Sequence, residues 1–174
     1  MQLLDPTVRR WAQRPLGRTI FPMKHLLLSG CLLAFSPLAA AQSATDANAV
    51  KKTIDTFFEG MRKGDSAMVR STLAPGVVLQ TISTRGGSPQ VRTDNPADLL
   101  KAVGTPHPEV WDERISYERV LIDADLASVW TPYQFFAGNK FSHCGYNSFQ
   151  LVRMAQGWKI VHVIDTRRKD KCKQ

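Results

Sequence analysis

The sequence predicts an α+β domain in which helices come first and a sheet of long antiparallel strands follows. Three observations predict it. Apolar residues recur at helical spacing from Val50 to Met61. From Glu113 onward the period changes, and the chain becomes rich in β-branched and aromatic residues. Short turns divide that second half into four runs, the pattern of an antiparallel meander.

The first quarter of the chain lies outside this pattern. Met1 to Pro22 carry Arg9, Arg10, Arg14 and Arg18 with no apolar periodicity, and read as an extension upstream of the working start. From Met23 the chain runs MKHLLLSGCLLAFSPLAAAQS. A short basic start, an apolar run too brief to span a bilayer, and Ala39-Ala40-Ala41 before Gln42 make residues 23–41 a secretory signal peptide. Arg9-Arg10 stands too far ahead of the apolar run for a twin-arginine signal. Leu28-Ser29-Gly30-Cys31 resembles a lipoprotein box, but the apolar run ahead of Ser29 is only three leucines, Leu26 to Leu28, and it continues beyond Cys31. The expectation is therefore export to the periplasm or beyond, without a stable membrane anchor, of a single domain over residues 42–174.

Within that domain Thr45-Asp46 can cap a first helix whose inner face is Val50, Ile54, Phe57, Phe58 and Met61, ended by Gly64. Asp65 starts a second short helix through Met68, Val69 and Leu73, stopped by Pro75-Gly76. Val77 to Thr84 and Gln90 to Thr93 form a hairpin around Gly86-Gly87-Ser88-Pro89. Asp94-Asn95-Pro96 opens a third helix, closed by Gly104. Four strands follow: Glu113–Ile122, Leu126–Phe136, Phe141–Met154 and Gly157–Arg167.

Charge narrows the partners. The whole chain is +8, but the segment through Ala41 holds five of the 23 basic residues and one of the 15 acidic ones. Five further basic residues crowd into RRKDKCK, a basic tail from residue 168 onward that is set off from a neutral body. No basic stripe with interleaved aromatics marks a nucleic-acid surface.

The element order, together with the closing Gly157-Trp158-Lys159-Ile160, resembles the nuclear transport factor 2-like superfamily, over nearly all of Ala44 to Arg168. In detail it resembles a secreted branch grouped with SnoaL-like and lumazine-binding-type proteins. The resemblance implies a curved sheet wrapped over the helices as a cone with a pocket, often paired into homodimers. Enzymes of that superfamily, such as ketosteroid isomerases, limonene epoxide hydrolases and polyketide cyclases, use buried Asp, Tyr, Arg or His in the cone. No complete set of theirs matches here, and one fold hosts many functions.

Pairing the last two strands across Ala155-Gln156 sets Met154 opposite Gly157. One face then pairs Phe149 with His162, Leu151 with Ile160 and Asn147 with Ile164. The other pairs Tyr146 with Asp165, Cys144 with Arg167 and Ser148 with Val163. The first face, with Trp158, is the more apolar and is expected inside, which takes His143 and Asn147 toward the pocket mouth. A single bulge would exchange the faces. His143 and Asp165 are the candidate proton carriers, since a histidine titrates at about 6.5. Asn147, Tyr133, Trp130, Trp111 and Arg167 are candidate ligand contacts. A histidine bonded to backbone, an exposed Asp165–Arg167 salt bridge and aromatics used as core are the plainer alternatives. Pro132 requires a bulge or an unpaired position in its strand. The histidines lack metal-ligand spacing, so neither metal nor cofactor is expected.

Loss of Cys31 with the leader leaves Cys144 and Cys172 in an oxidising compartment, where a pair is expected to be a disulfide. A nucleophilic Cys144 aided by His143 is disfavoured because adjacent strand residues face opposite ways. Three functions stay open: a module binding a small, fairly apolar ligand, a cofactorless lyase or isomerase, and a dimeric periplasmic protein with a vestigial pocket.

Overall fold

The helical spacing from Val50 to Met61 becomes the inner face of a long helix, α1 (Leu38–Lys63). The computed structural model describes residues 38–84 and 87–173. The expected upstream extension and Met23 to Pro37 of the signal segment lie outside them, as does Gly86 of the first turn. Contrary to the expected cap at Thr45-Asp46, α1 runs through both residues and takes in Leu38 to Ala41. Asp46 binds Arg153 in a two-point ion pair of 2.8 and 2.6 Å, and the Arg153 guanidinium lies over the Trp158 ring. A planar guanidinium suits both contacts, so Arg153 ties the helix to the last hairpin.

The caps expected of the next helices are present. Asp65 accepts from the Met68 N–H at 2.8 Å to open α2 (Ser66–Thr72). Asn95 accepts from the Ala97 N–H ahead of Pro96 in α3 (Pro96–Gly104). Leu73, expected at the end of α2, instead begins β1 (Leu73–Ser83), which pairs with β2 (Gln90–Asp94). The run expected as one strand from Glu113 to Ile122 is two, β3 (Trp111–Ile115) and β4 (Arg119–Asp123), both along one edge of β5 (Leu126–Ala137). Pro132 explains the break: Ser116 donates to its carbonyl, and its missing N–H falls where neither strand pairs.

β6 (Lys140–Met154) and β7 (Gly157–Thr166) complete a curved, open sheet in the order β2-β1-β7-β6-β5-β3, with β4 also on β5. The sheet is mixed, because β1 lies parallel to β7. Its concave face packs on α1 through Phe57, Phe58 and Phe149, whose rings meet edge to face at 5.2 to 6.4 Å, and through Ile54, Leu151 and Ile160. Burying each such side chain contributes about 1.5–3 kcal/mol.

One irregularity decides the site. Met154 opposes Gly157 and Leu151 opposes Ile160 as expected, but Gln150 then opposes His162, leaving Val161 as a bulge on β7. Beyond it the faces exchange. Asn147 opposes Asp165, and Cys144 pairs with Arg168 rather than Arg167. Asp165 and Arg167 therefore turn inward, while His162 bonds Gln80 at 3.0 Å. Among the described residues, no helix is long and apolar enough to cross a membrane.

Candidate active site in the cavity between helix and sheet

A cavity of about 140 Å³ lies between α1 and the open end of the sheet. Phe57, Phe58 and Met61 of α1, with Leu79, Leu99, Phe149 and Val163, give it apolar walls. Gln80 of β1 and Asp94 of β2 contribute polar groups, and three further strands supply the rest: Glu113 of β3, His143 and Asn147 of β6, and Asp165 and Arg167 at the end of β7. Strand alternation places them. Glu113 opposes Phe135, Phe135 opposes His143, and Asn147 opposes Asp165, so all share the concave face.

Glu113 is the residue that sequence reasoning missed. The Asn147 side-chain N–H donates to its Oε1 at 2.8 Å, and its other oxygen has no partner among the described residues. Although the residue keeps some accessible surface, protein surrounds its carboxyl group, and that desolvation pushes its pKa up to about 7. The Asn147 bond and the Arg167 charge act the other way, and the charge of Asp165 adds to the rise. A charged residue alternating with Trp111 and Ile115, both packed toward the core, was the available signal.

Asp165, 9 % exposed, is held on one oxygen by two donors: the Tyr133 hydroxyl at 2.9 Å and Arg167 Nε at 2.9 Å. The Tyr133 hydroxyl also reaches the Thr166 carbonyl at 2.9 Å. Tyr133 is buried, and desolvation followed by the Asp165 and Glu113 charges raises its pKa, so it remains a donor. It reaches β7 by passing over Gly145, which opposes it on β6. A Cβ there would meet the Tyr133 ring at 2.8 Å and the Thr166 carbonyl oxygen at 1.8 Å. His143 stacks on Phe135 at 5.0 Å, and its Nδ1 meets the Ser142 hydroxyl at 3.0 Å. Burial, then the Arg167 charge, holds its pKa below the usual histidine value, so it is neutral near pH 7.

The structure thus gathers His143, Asn147, Tyr133, Asp165 and Arg167, and leaves out two expected contacts. Trp130 is 42 % exposed and stacks on Tyr146 on the outer face, because alternation from Val129 and Thr131 turns it outward. Trp111 stacks on His107 and packs against the core without reaching the cavity. Cys144 also faces away, and is bonded to Cys172 with 5.7 Å between Cα atoms. Among the described residues, no three His, Cys, Asp or Glu side chains converge to hold a metal ion.

No protein-family model matches the sequence, and no curated protein matches it with significance. Solved structures match its fold. A nuclear transport factor 2-like protein with a cystatin-like fold from Novosphingobium aromaticivorans superposes with a TM-score of 0.61 at 12% identity, over 81% of this chain and 94% of that one. The chain has the nuclear transport factor 2-like fold.

A nuclear transport factor 2-like protein of unknown function from Shewanella baltica matches with a TM-score of 0.57 at 14% identity, over 73% of this chain and 97% of its own. A candidate dehydratase of the nuclear transport factor 2-like family from Streptomyces avermitilis matches at 0.53 and 17% identity, over 72% and 98%. At these identities the likeness carries the nuclear transport factor 2-like fold and no activity.

Proposed function

We propose that this domain is a proton-transfer enzyme of the lyase or isomerase type, with Glu113 as the proton carrier. One observation carries the reading: a desolvated carboxyl poised at about pH 7, fixed by Asn147 through one oxygen and open at the other, in an apolar cavity. A carboxyl that is half ionised near neutrality both accepts and returns a proton, the condition under which acid–base catalysis is most effective. The Asp165–Tyr133–Arg167 group lies beside Glu113 on the same concave face and would steady charge that develops on a substrate oxygen. His143 is a second, neutral proton acceptor at the rim. A cavity of about 150 Å³ holds one benzene-sized molecule, so the reacting end of the substrate is small. The disulfide supports maturation in an oxidising compartment and hence the export reading.

The test follows a panel of small hydroxy and keto compounds in D₂O by proton NMR. Exchange or elimination beside a carbonyl should rise through about pH 7, and Glu113→Gln should slow it by about two to four decades. Infrared titration of the carboxyl supplies the decisive reading: a Glu113 that ionises in the ordinary carboxylate range would sink the proposal. The apolar walls favour a second reading, a module that only binds a small ligand. Ligand retained in native mass spectrometry without turnover of any panel compound would favour it.

A further inference from the structure

Next to the small cavity, the open end of the sheet holds a second concavity of about 460 Å³. It forms where the ends of β1, β6 and β7 meet beside β2, and it shares His143 and Arg167 with the first. Among the described residues, Arg92, Arg167, Arg168 and Lys169 line it, and no carboxylate does. Two are neutralised from outside the groove: Arg92 by Asp94 and Arg167 by Asp165, each at 2.9 Å. Arg167 uses only its Nε in that pair, which leaves its terminal nitrogens available. Arg168 donates to the Lys171 carbonyl and lies over the Tyr146 ring on the outer face, so its guanidinium is turned away from the groove that its backbone borders. Lys169 has no bonded partner among the described residues. Thr81, 3 % exposed, lies in the groove wall, and no protein group bonds its hydroxyl.

We propose that this groove receives the anionic end of the substrate, a carboxylate or phosphate monoester, while a benzene-sized uncharged end enters the small cavity. Calling the bound molecule a substrate rests on the acid–base reading above; the anion site stands on the groove itself. The uncompensated ammonium of Lys169, the neighbouring Arg92 and the free terminal nitrogens of Arg167 suit the several acceptor oxygens of such a group. The shared Arg167 joins the two compartments, so an anion held there sets the distance between the reacting end and Glu113.

Calorimetric titration of the full, disulfide-bonded chain with benzoate, phenyl phosphate and benzyl alcohol tests this. Either anion should bind at least about ten-fold tighter than the alcohol at low salt, and the gap should narrow as salt screens the site. The tighter anion identifies the headgroup. Arg92→Gln combined with Lys169→Gln should remove roughly three- to ten-fold per charge from the anion and leave benzyl alcohol unchanged. Equal affinity for all three probes, or an anion preference that survives the double variant, overturns the groove. The infrared titration of Glu113 on the same samples separates the two readings. A normal Glu113 beside a charge-dependent anion preference upholds the groove and removes only the acid–base reading. Glu113 at about pH 7 with no anion preference does the reverse.

Discussion

Gly145 shows how much a single position can hold in place. Tyr133 on β5 must cross β6 to reach Asp165 on β7, and only a residue without a side chain leaves the path open. Gly145→Ala would push a methyl into the Tyr133 ring and the Thr166 carbonyl, two groups with no room to retreat. Overpacking of this kind costs about 1–3 kcal/mol, and loss of the buried Tyr133 bond adds to it. Urea denaturation should show a loss of at least about 2 kcal/mol; a variant within about 0.5 kcal/mol of the parent would contradict the crossing geometry. A glycine inside a strand signals such an approach, so this role was open to sequence reasoning. Glu113 was legible too, as an acid sharing an apolar face with Trp111 and Ile115. Its tuned carboxyl was not, because desolvation depends on β6, β7 and α1 closing around it.

Among the elements, β5, β6 and β7 were readable almost to the residue because two-residue turns and β-branched runs mark them plainly. The bulge at Val161 was not. Ile160, Val161, Val163 and Ile164 are apolar on both faces, so no alternation fixes the parity of the strand. That one residue moved Asp165 and Arg167 from an expected surface pair to the site. The tail was placed by chemistry rather than pattern. After Arg168 exchanges backbone bonds with Cys144, the chain turns back at Lys171, whose φ is 50°, and Cys172 closes the bond. Lys173 then reaches Glu118 at 2.7 Å. Cys172→Ser should cost about 3.6 kcal/mol, the loop-entropy estimate for a crosslink spanning 28 residues, visible as a lower melting temperature. An unchanged melt would mean that the tail is held without it.

At the scale of the whole domain, pH dependence follows from two opposed groups. Glu113 has a folded pKa of about 7, above its ordinary 4.5, so its contribution to stability is full below about 4.5 and is lost as pH rises to about 7. His143 is depressed, so its contribution is full above about 6.5 and is lost as pH falls below that. Glu113→Gln removes the first effect alone. It should stabilise the protein relative to the parent by about 2 kcal/mol more at pH 8 than at pH 5, measured by urea denaturation. An equal difference at both values would return Glu113 to an ordinary surface acid. The sheet order carries a further consequence, for the sequence of events in folding. Among the described residues β7 is the last strand in the sequence, yet it stands between β1 and β6 and joins the β1–β2 hairpin to the rest of the sheet. β5 and β6 can pair with each other first, but the β1–β2 hairpin has no partner in the main sheet until residues 157–166 are in place. Contacts that span so much of the sequence form slowly, on the ms-to-s scale of topologies dominated by distant pairings. The first hairpin therefore joins the sheet only in a late step, once β7 has paired with β6.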